Sequence, residues 1–217
     1  MGDAKQEFPH YKIVYRQGLG EYEEKKSRFI ANVAPVSTEG EATAFIEAMR
    51  KKYYDARHNC PAFIIGRNSE LTRCSDDGEP SGTAGKPILE VLMGAGVTNV
   101  AVVVTRYFGG TLLGTGGLVR AYTQATQAGL ADAGIAAMRY GTQMTIGMDY
   151  GDVGKIQYLL GNEQIEILDS RYAQNVEFDI RFPRERLKEL TTKLTEATSA
   201  RARLDITGEG YYMDKIG

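Results

Sequence analysis

A glycine-rich stretch at residues 105–122 constrains the fold of this chain more than any other feature. It follows an apolar run at residues 100–104, typical of a buried strand, and leads into a helical pattern whose apolar stripe includes Leu118 and Tyr122. The stretch contains five glycines, which are Gly109, Gly110, Gly114, Gly116 and Gly117. Glycine loses more conformational freedom on folding than any other residue, so this density of glycines is costly. It indicates a sharp turn whose backbone another group can approach closely, because glycine has no side chain.

The chemistry of this loop favours an anion. The helix that follows presents unpaired backbone N–H groups and the positive end of its dipole. Arg106 and Arg120 flank the loop with permanent positive charges suited to phosphate. The spacing is neither that of a dinucleotide-binding turn nor that of a Walker A loop. Glycines at such a turn can also serve only to pack a helix tightly on a sheet, so both interpretations stand, with anion binding favoured.

The composition is that of an ordinary globular protein, with 42% hydrophobic and 25% charged residues. No run approaches about 18 unbroken apolar residues, and the N-terminus lacks the apolar core of a secretory signal, so we expect a cytoplasmic protein without membrane contact. Cys60 and Cys74 have no metal-site spacing, and we expect neither a metal nor a cofactor. Because the net charge is −2, any nucleic-acid contact has to use a local basic patch.

The pattern predicts an α+β protein of two domains, residues 1–140 and residues 141–217. In the first domain, strand-like segments at residues 11–16 and 22–36 precede the first helix. An α/β sandwich in which helices back a mixed sheet therefore fits better than a doubly wound sheet.

The second domain shows the ferredoxin-like order βαββαβ. Between residues 175 and 182, apolar and polar residues alternate strictly, which predicts an antiparallel strand with one buried and one exposed face. Helix starts are marked in both domains. Thr38 and Glu41 form a capping box in the first domain, and Asp152 is expected to cap a helix in the second.

A second polar segment, at residues 75–85, combines carboxylates with hydroxyls and glycines. Its three carboxylates are Asp76, Asp77 and Glu79. They have the oxygen chemistry of a magnesium site beside a phosphate, but the spacing of a dedicated metal loop is absent. We therefore favour the interpretation that they form a solvated acidic turn or hold Arg106 or Arg120 in place. Thr83 and Lys86 would add a hydroxyl and a cation to a phosphate contact.

Further candidates lie close to the predicted strands. Arg57 and His58 precede Cys60, and His58 and Cys60 would share one face of a strand, as a thiolate pair requires. No third group that would orient such a pair is identifiable, so Cys60 is interpreted as a small buried hydrophobe. Tyr107 offers a face on which a base can stack, whereas Phe108 is expected in the core.

Three segments, at residues 57–60, 75–85 and 105–122, together resemble the YigZ/IMPACT family, and residues 141–217 resemble the C-terminal domain of its bacterial two-domain branch. The resemblance covers nearly the whole chain. It implies an N-terminal domain with the fold of a small-subunit ribosomal-protein domain, which a domain of elongation factor G shares. It also implies a C-terminal domain similar to the ferredoxin-like C-terminal module of that factor.

The resemblance further implies a link to translation control. Eukaryotic relatives restrain a starvation-sensing kinase and use an N-terminal extension for partner binding that this sequence does not show, so we do not expect that role here. The favoured hypothesis is a non-enzymatic regulator that contacts RNA or the ribosome through the Gly-rich loop, on the warrant of fold analogy. The candidate phosphate- and nucleic-acid-binding residues are Arg57, His58, Thr83, Lys86, Arg106, Tyr107, Gly109, Gly110, Gly114, Gly116, Gly117 and Arg120.

The alternative hypothesis is a phosphate- or nucleotide-dependent enzyme or a small-molecule-binding protein. It rests on related folds in sugar and isoprenoid kinases, which place a Gly-rich loop on ATP. Against it, no residue of the sequence is identifiable as a catalytic base or as a metal ligand, so we assign no catalytic residue.

Overall fold

The structure, a computed structural model, describes residues 8–215. The chain forms two compact units, one comprising Tyr11–Met138 and the other comprising Arg139–Met213 with residues 8–10. Both units combine strands with helices, so the predicted α+β class is confirmed. No helix in the part of the chain that is described is long and apolar enough to cross a membrane.

The first unit is built on a five-stranded sheet. Its elements are β1 (Tyr11–Val14), β2 (Gly18–Glu24), β3 (Ser27–Pro35), α1 (Glu39–Lys52), β4 (His58–Ile65), β5 (Leu71–Cys74), α2 (Gly85–Ala95), β6 (Val100–Tyr107) and α3 (Gly114–Ala133). The sheet has the order β2-β3-β6-β4-β5, and its pairings are antiparallel. The sequence predicts a mixed sheet, whereas this sheet is entirely antiparallel. The difference arises because β6 inserts between β3 and β4. These two strands are joined through a helix, as parallel neighbours would be, but they do not pair with each other.

Both faces of this sheet are covered, which explains the continuous apolar run at residues 100–104. Val102 belongs to the core that contains residues of α2 and α3, whereas Ala101 and Val103 belong to the core that contains residues of α1. Successive side chains of a strand point to opposite faces, so a strand that is buried on both faces has no polar residues to alternate with.

Glycines seat α3 closely on β2. A Cβ on Gly20 would lie 2.1 Å from the backbone nitrogen of Gly129, and a Cβ on Gly18 would lie 2.5 Å from that of Ala133. A larger residue at either position would therefore displace the helix backbone. This packing fixes the position of α3 and with it the end of the Gly-rich loop.

The second unit has the predicted order βαββαβ. Its elements are β7 (Ile135–Met148), α4 (Val153–Asn162), β8 (Ile167–Tyr172), β9 (Val176–Pro183), α5 (Leu187–Ala197) and β10 (Arg203–Lys215). β9 lies between β7 and β8, and β10 pairs with β7; residues 135–138 of β7 pair instead with β1, inside the first unit. The alternation predicted for β9 is confirmed by the buried residues Val176, Phe178, Ile180 and Phe182.

The two predicted helix caps have different outcomes. Thr38 Oγ1 accepts a hydrogen bond from the backbone N–H of Glu41 at 3.1 Å, which is the side-chain cap of a capping box, while the Glu41 carboxylate accepts from the N–H of the preceding residue, Ser37, at 2.6 Å. The prediction for Asp152 is wrong, because its carboxylate forms no cap bond and instead accepts from Arg201 Nη2 at 2.7 Å. Thr38 has the extended backbone of a cap (φ −136°, ψ 157°), whereas Asp152 ends a 3₁₀ turn with helical angles (φ −98°, ψ −9°).

Candidate functional site

A cleft of about 370 Å³ lies beside the end of β6. β4 and β6 are paired so that His58 lies opposite Arg106, and this register brings residues 55–58 next to residues 106–112. The cleft is lined by Asp55, Ala56, Arg57, His58, Arg106, Tyr107, Phe108 and Leu112. Of the residues predicted from the sequence, the structure thus brings together Arg57, His58, Arg106 and Tyr107.

Arg106 lines this cleft but is almost fully buried, with 8% of its surface exposed. Its Nη1 donates to both carboxylate oxygens of Glu79, at 2.7 and 2.9 Å. The guanidinium carbon lies 5.7 Å from the ring centroids of both Phe29 and Phe108, and Nε has no hydrogen-bond partner among the described residues. The positive charge of Arg106 is therefore compensated inside the protein, and its guanidinium packs against the ring of Phe108.

The Arg106–Glu79 pair extends into the core through Tyr122, whose hydroxyl donates to Glu79 Oε1 at 2.8 Å. The Cys60 thiol lies 3.4 Å from that hydroxyl. Burial raises the pKa of Cys60 and outweighs the opposing hydrogen bond with Tyr122. Cys60 is therefore held as a buried thiol, as the sequence indicates, whereas Cys74 is also free but exposed.

His58 is bound by the backbone and not by a thiol. Its Nδ1 lies 2.9 Å from the carbonyl oxygen of Asp77, and because a carbonyl only accepts, Nδ1 is the protonated ring nitrogen. Nε2 is therefore the ring atom that remains available to a ligand in the cleft.

The segment at residues 75–85 uses its first carboxylate internally. Asp76 accepts hydrogen bonds from backbone N–H groups in the turn before α2 and at the start of this helix. These belong to Gly82, Ala84 and Gly85, at 2.8, 3.0 and 2.9 Å. Burial acts to raise the pKa of Asp76, but the backbone donors outweigh it, and the pKa lies below its usual value.

The other two carboxylates of this segment have separate partners. Asp77 accepts a backbone N–H bond at 2.7 Å and lies 3.5 Å from Nη2 of Arg50. Of the three carboxylates predicted to orient Arg106 or Arg120, only Glu79 contacts Arg106, and in residues 8–215 none forms an ion pair with Arg120. Across the same residues, no group of three or more His, Cys, Asp or Glu side chains is placed to hold a metal ion.

Thr83 and Lys86 lie outside the cleft. The hydroxyl of Thr83 is buried and donates to the carbonyl oxygen of Pro80 at 2.7 Å, so it closes the turn before α2. Lys86 is exposed on the first turn of α2, where its Nζ lies 3.8 Å from a carboxylate oxygen of Glu90. The structure does not bring either residue together with Arg57 and His58.

The glycines of the loop have different surroundings. Gly109 serves packing, because its N–H donates to Ser27 Oγ at 3.0 Å and a Cβ would lie 2.0 Å from the carbonyl carbon of Lys26. Gly110 and Gly114 adopt φ angles of 89° and 69°, and a Cβ on either would find open space. Tight packing therefore explains Gly109, and the left-handed backbone explains Gly110 and Gly114.

Gly116 and Gly117 lie in the first turn of α3. A Cβ on Gly117 would lie 3.0 Å from the Cβ of Leu113, whereas one on Gly116 would meet no described atom within 4 Å. α3 also begins without a side-chain cap hydrogen bond. Arg120 is exposed on the following turn. The start of α3 is therefore open, and the described side chains do not cap it.

Sequence reasoning missed several residues of this site. The prediction that Phe108 lies in the core is wrong: it is 58% exposed, because β6 ends at Tyr107 and the apolar pattern of the strand stops there. Asp55 lines the cleft and accepts a hydrogen bond from the Tyr107 hydroxyl at 2.8 Å. Lys25 and Lys26 are exposed on the β2–β3 turn, with φ angles of 47° and 65°. No local signal marks Asp55, but two strand patterns separated by two residues would have indicated the turn.

Comparison with known proteins gives matches across both units. Residues 25–130 match a model of the Impact N-terminal domain, and residues 146–201 match a model of a domain of unknown function, DUF1949. The chain is 39% identical over 205 residues to the IMPACT family member YvyE of Bacillus subtilis (strain 168), an alignment that covers 94% of each protein. It is 40% identical over 174 residues to the IMPACT family member YigZ of Escherichia coli (strain K12), covering 79% of this chain and 85% of that protein.

A solved structure is similar as well. It is described as the crystal structure of a hypothetical protein, with a TM-score of 0.59 and 36% sequence identity. The match covers 93% of this chain and 98% of that chain. Both the sequence and the fold of the relatives therefore extend over nearly the whole of this chain.

Proposed function

Because this chain belongs to the IMPACT family, we propose that it is a translation-associated regulator that contacts RNA, either free or within the ribosome. Its contact surface is the cleft together with exposed cations on the neighbouring segments. We call these cations the basic rim; they are Lys25, Lys26, Arg57 and Arg120. The observation that carries the proposal is the exposed ring of Phe108 at a cleft near cations that have no carboxylate partner in the described chain.

This combination suits a single strand of nucleic acid. Proteins that bind single strands pair a positively charged groove, which follows the phosphates, with aromatic rings on which the bases stack. The open start of α3 adds backbone N–H groups and a helix dipole that favour a phosphate. The overall charge of −2 does not oppose this, because phosphate contacts depend on the local arrangement of cations.

Arg106 has a different role from the rim. The sequence-based hypothesis gives it a direct phosphate contact, but Glu79 compensates its charge at 2.7 Å in a buried pair. We therefore assign Arg106 the role of positioning Phe108, and we assign phosphate contact to Arg57 and Arg120. Each charge-assisted contact of this kind is worth about 1.5–3 kcal/mol.

The test is the double substitution Arg57→Gln/Arg120→Gln, measured by fluorescence anisotropy with a labelled single-stranded oligouridylate at several salt concentrations. We expect affinity to fall by more than about tenfold, because two charge-assisted contacts are lost. The log–log salt slope should shrink by about 0.7 for each phosphate contact removed. The melting temperature should stay unchanged, since neither arginine forms an ion pair with the described residues.

The matched control is Arg73→Gln/Lys188→Gln, which removes the same charge from exposed positions outside the rim. It should leave both affinity and salt slope close to those of the unmodified protein. A folded Arg57→Gln/Arg120→Gln variant with unchanged affinity and slope would overturn the proposal. Tight binding of ATP without binding of the oligonucleotide would favour the nucleotide-dependent alternative.

A further inference from the structure

The volume of the cleft and the aromatic ring at its edge suit a site for one unpaired base. Its volume of about 370 Å³ lies at the small end of the range for small-molecule sites, which is about 300–1,000 Å³. Phe108 is 58% exposed at its edge, and the guanidinium of Arg106 lies over the ring. A base that is splayed out of a strand stacks on an aromatic side chain of this kind.

A carboxylate faces this basic cleft, which is unexpected for a surface that only follows phosphates. Asp55 lies two residues before Arg57 and lines the cleft with it. Its Oδ1 accepts from the Tyr107 hydroxyl at 2.8 Å, and no other described residue bonds to its carboxylate. Burial and this carboxylate raise the pKa of Tyr107, so the phenol keeps its proton and anchors Asp55 at neutral pH.

An ionised carboxylate only accepts hydrogen bonds, and this selects among the bases. The Watson–Crick edge of guanine presents two adjacent donors, N1–H and N2–H, which fit the two oxygens of one carboxylate. Adenine, cytosine and uracil each present a single donor there, beside acceptors that a carboxylate repels. Asp55 therefore matches guanine in a charge-assisted, bidentate pair.

We propose that the cleft binds one unpaired guanine of an RNA strand, stacked on Phe108 and read by Asp55, while the neighbouring phosphates lie on the basic rim. This inference rests on the proposed function and names the base that the site selects. Tyr107 is a positioning residue, because it acts by orienting Asp55.

The experiment compares 11-nucleotide oligouridylates that carry G, A, C or U at the central position. The unmodified protein should prefer the oligonucleotide with G by about tenfold, as a good bidentate base contact gives. Asp55→Asn should reduce this preference, because in the orientation of the carboxylate an amide offers one acceptor and sets its N–H group against one of the two guanine donors. It should not weaken binding of the all-U strand, since it removes a negative charge from the cleft.

Glu23→Gln is the matched control, because Glu23 is an exposed carboxylate of β2 outside the cleft. It removes the same charge and should leave the preference for guanine intact. Binding of all four strands with equal affinity would overturn the guanine site and leave the proposed RNA contact standing. Failure of every strand to bind would overturn both. An Asp55→Asn variant that keeps the full preference for guanine would show that Asp55 does not read the base.

Discussion

Two polar, glycine-containing loops of the first unit precede helices, and they differ in what occupies the helix start. The loop at residues 75–85 leads into α2, where Asp76 already accepts from three backbone N–H groups at 2.8–3.0 Å. The loop at residues 108–113 leads into α3, which has no side-chain cap and exposes Phe108 and Leu112. The carboxylate of Asp76 supplies an anion to α2, whereas no side chain among residues 8–215 caps α3.

The difference distinguishes a loop whose polar groups bind one another from a loop of similar composition that we propose to bind a ligand. In the first loop, the carboxylate of Glu79, the hydroxyl of Thr83 and the carboxylate of Asp76 all bind protein groups. In the second loop, no described side chain caps the start of α3, and the cations of the basic rim, on neighbouring segments, form no ion pair among the described residues. Buried polar groups need hydrogen-bond partners within the fold, so the partners of each donor and acceptor distinguish the two loops.

The largest change in stability is expected for Glu79→Gln in the loop at residues 75–85, and it would sharpen the contrast between the two loops. The substitution leaves the charge of Arg106 buried without its counter-ion, and breaking such a pair costs about 3–5 kcal/mol. Urea unfolding followed by circular dichroism measures the change in the free energy of unfolding. Glu21→Gln, which breaks the exposed pair with Arg28, should cost less than about 1 kcal/mol. Equal losses of unfolding free energy in the two variants would contradict a structural role for the loop at residues 75–85.

A smaller loss of stability, about 1.5–3 kcal/mol, is expected for Asp76→Asn at neutral pH, because hydrogen bonds to a charged acceptor are replaced by weaker ones. The folded pKa of Asp76 is depressed, so its contribution is full above the unfolded value, near pH 4, and is lost as pH falls through the folded pKa. The difference in unfolding free energy between Asp76→Asn and the unmodified protein should therefore shrink below about pH 4. A difference that stays constant from pH 7 to pH 2 would exclude an ionised cap at α2.

The smallest effect on stability should come from supplying α3 with the anion that α2 already has. Thr115→Asp places a carboxylate in the exposed first turn of α3 and should stabilise the fold by about 0.3–1 kcal/mol. The same carboxylate should repel RNA phosphates and lower oligonucleotide affinity severalfold. Thr115→Asn is the uncharged control and should bind as the unmodified protein does. If Thr115→Asp binds RNA with full affinity, the start of α3 is not part of the contact surface.

Local patterns in the sequence were sufficient for much of the fold. The alternation in β9 and the helix cap at Thr38 are confirmed, because strand alternation and helix capping depend on residues only a few positions apart. The same reasoning gave a wrong cap at Asp152, where a distant arginine, Arg201, takes the carboxylate. It also placed Phe108 in the core, whereas β6 ends at Tyr107 and the ring of Phe108 is exposed.

By itself, the sequence determined the class of the fold, the ferredoxin-like order of the second unit and the position of the Gly-rich loop between a strand and a helix. Only the tertiary structure decided which polar groups are partners, since Glu79 and Arg106 are 27 residues apart and Cys60 and Tyr122 are 62 apart. Composition shows how many donors and acceptors a segment carries. It does not show which of them the fold satisfies, because this depends on the register of β4 against β6 and on glycine contacts that seat α3 on β2. The groups that remain unsatisfied after that assembly are the ones available to a ligand.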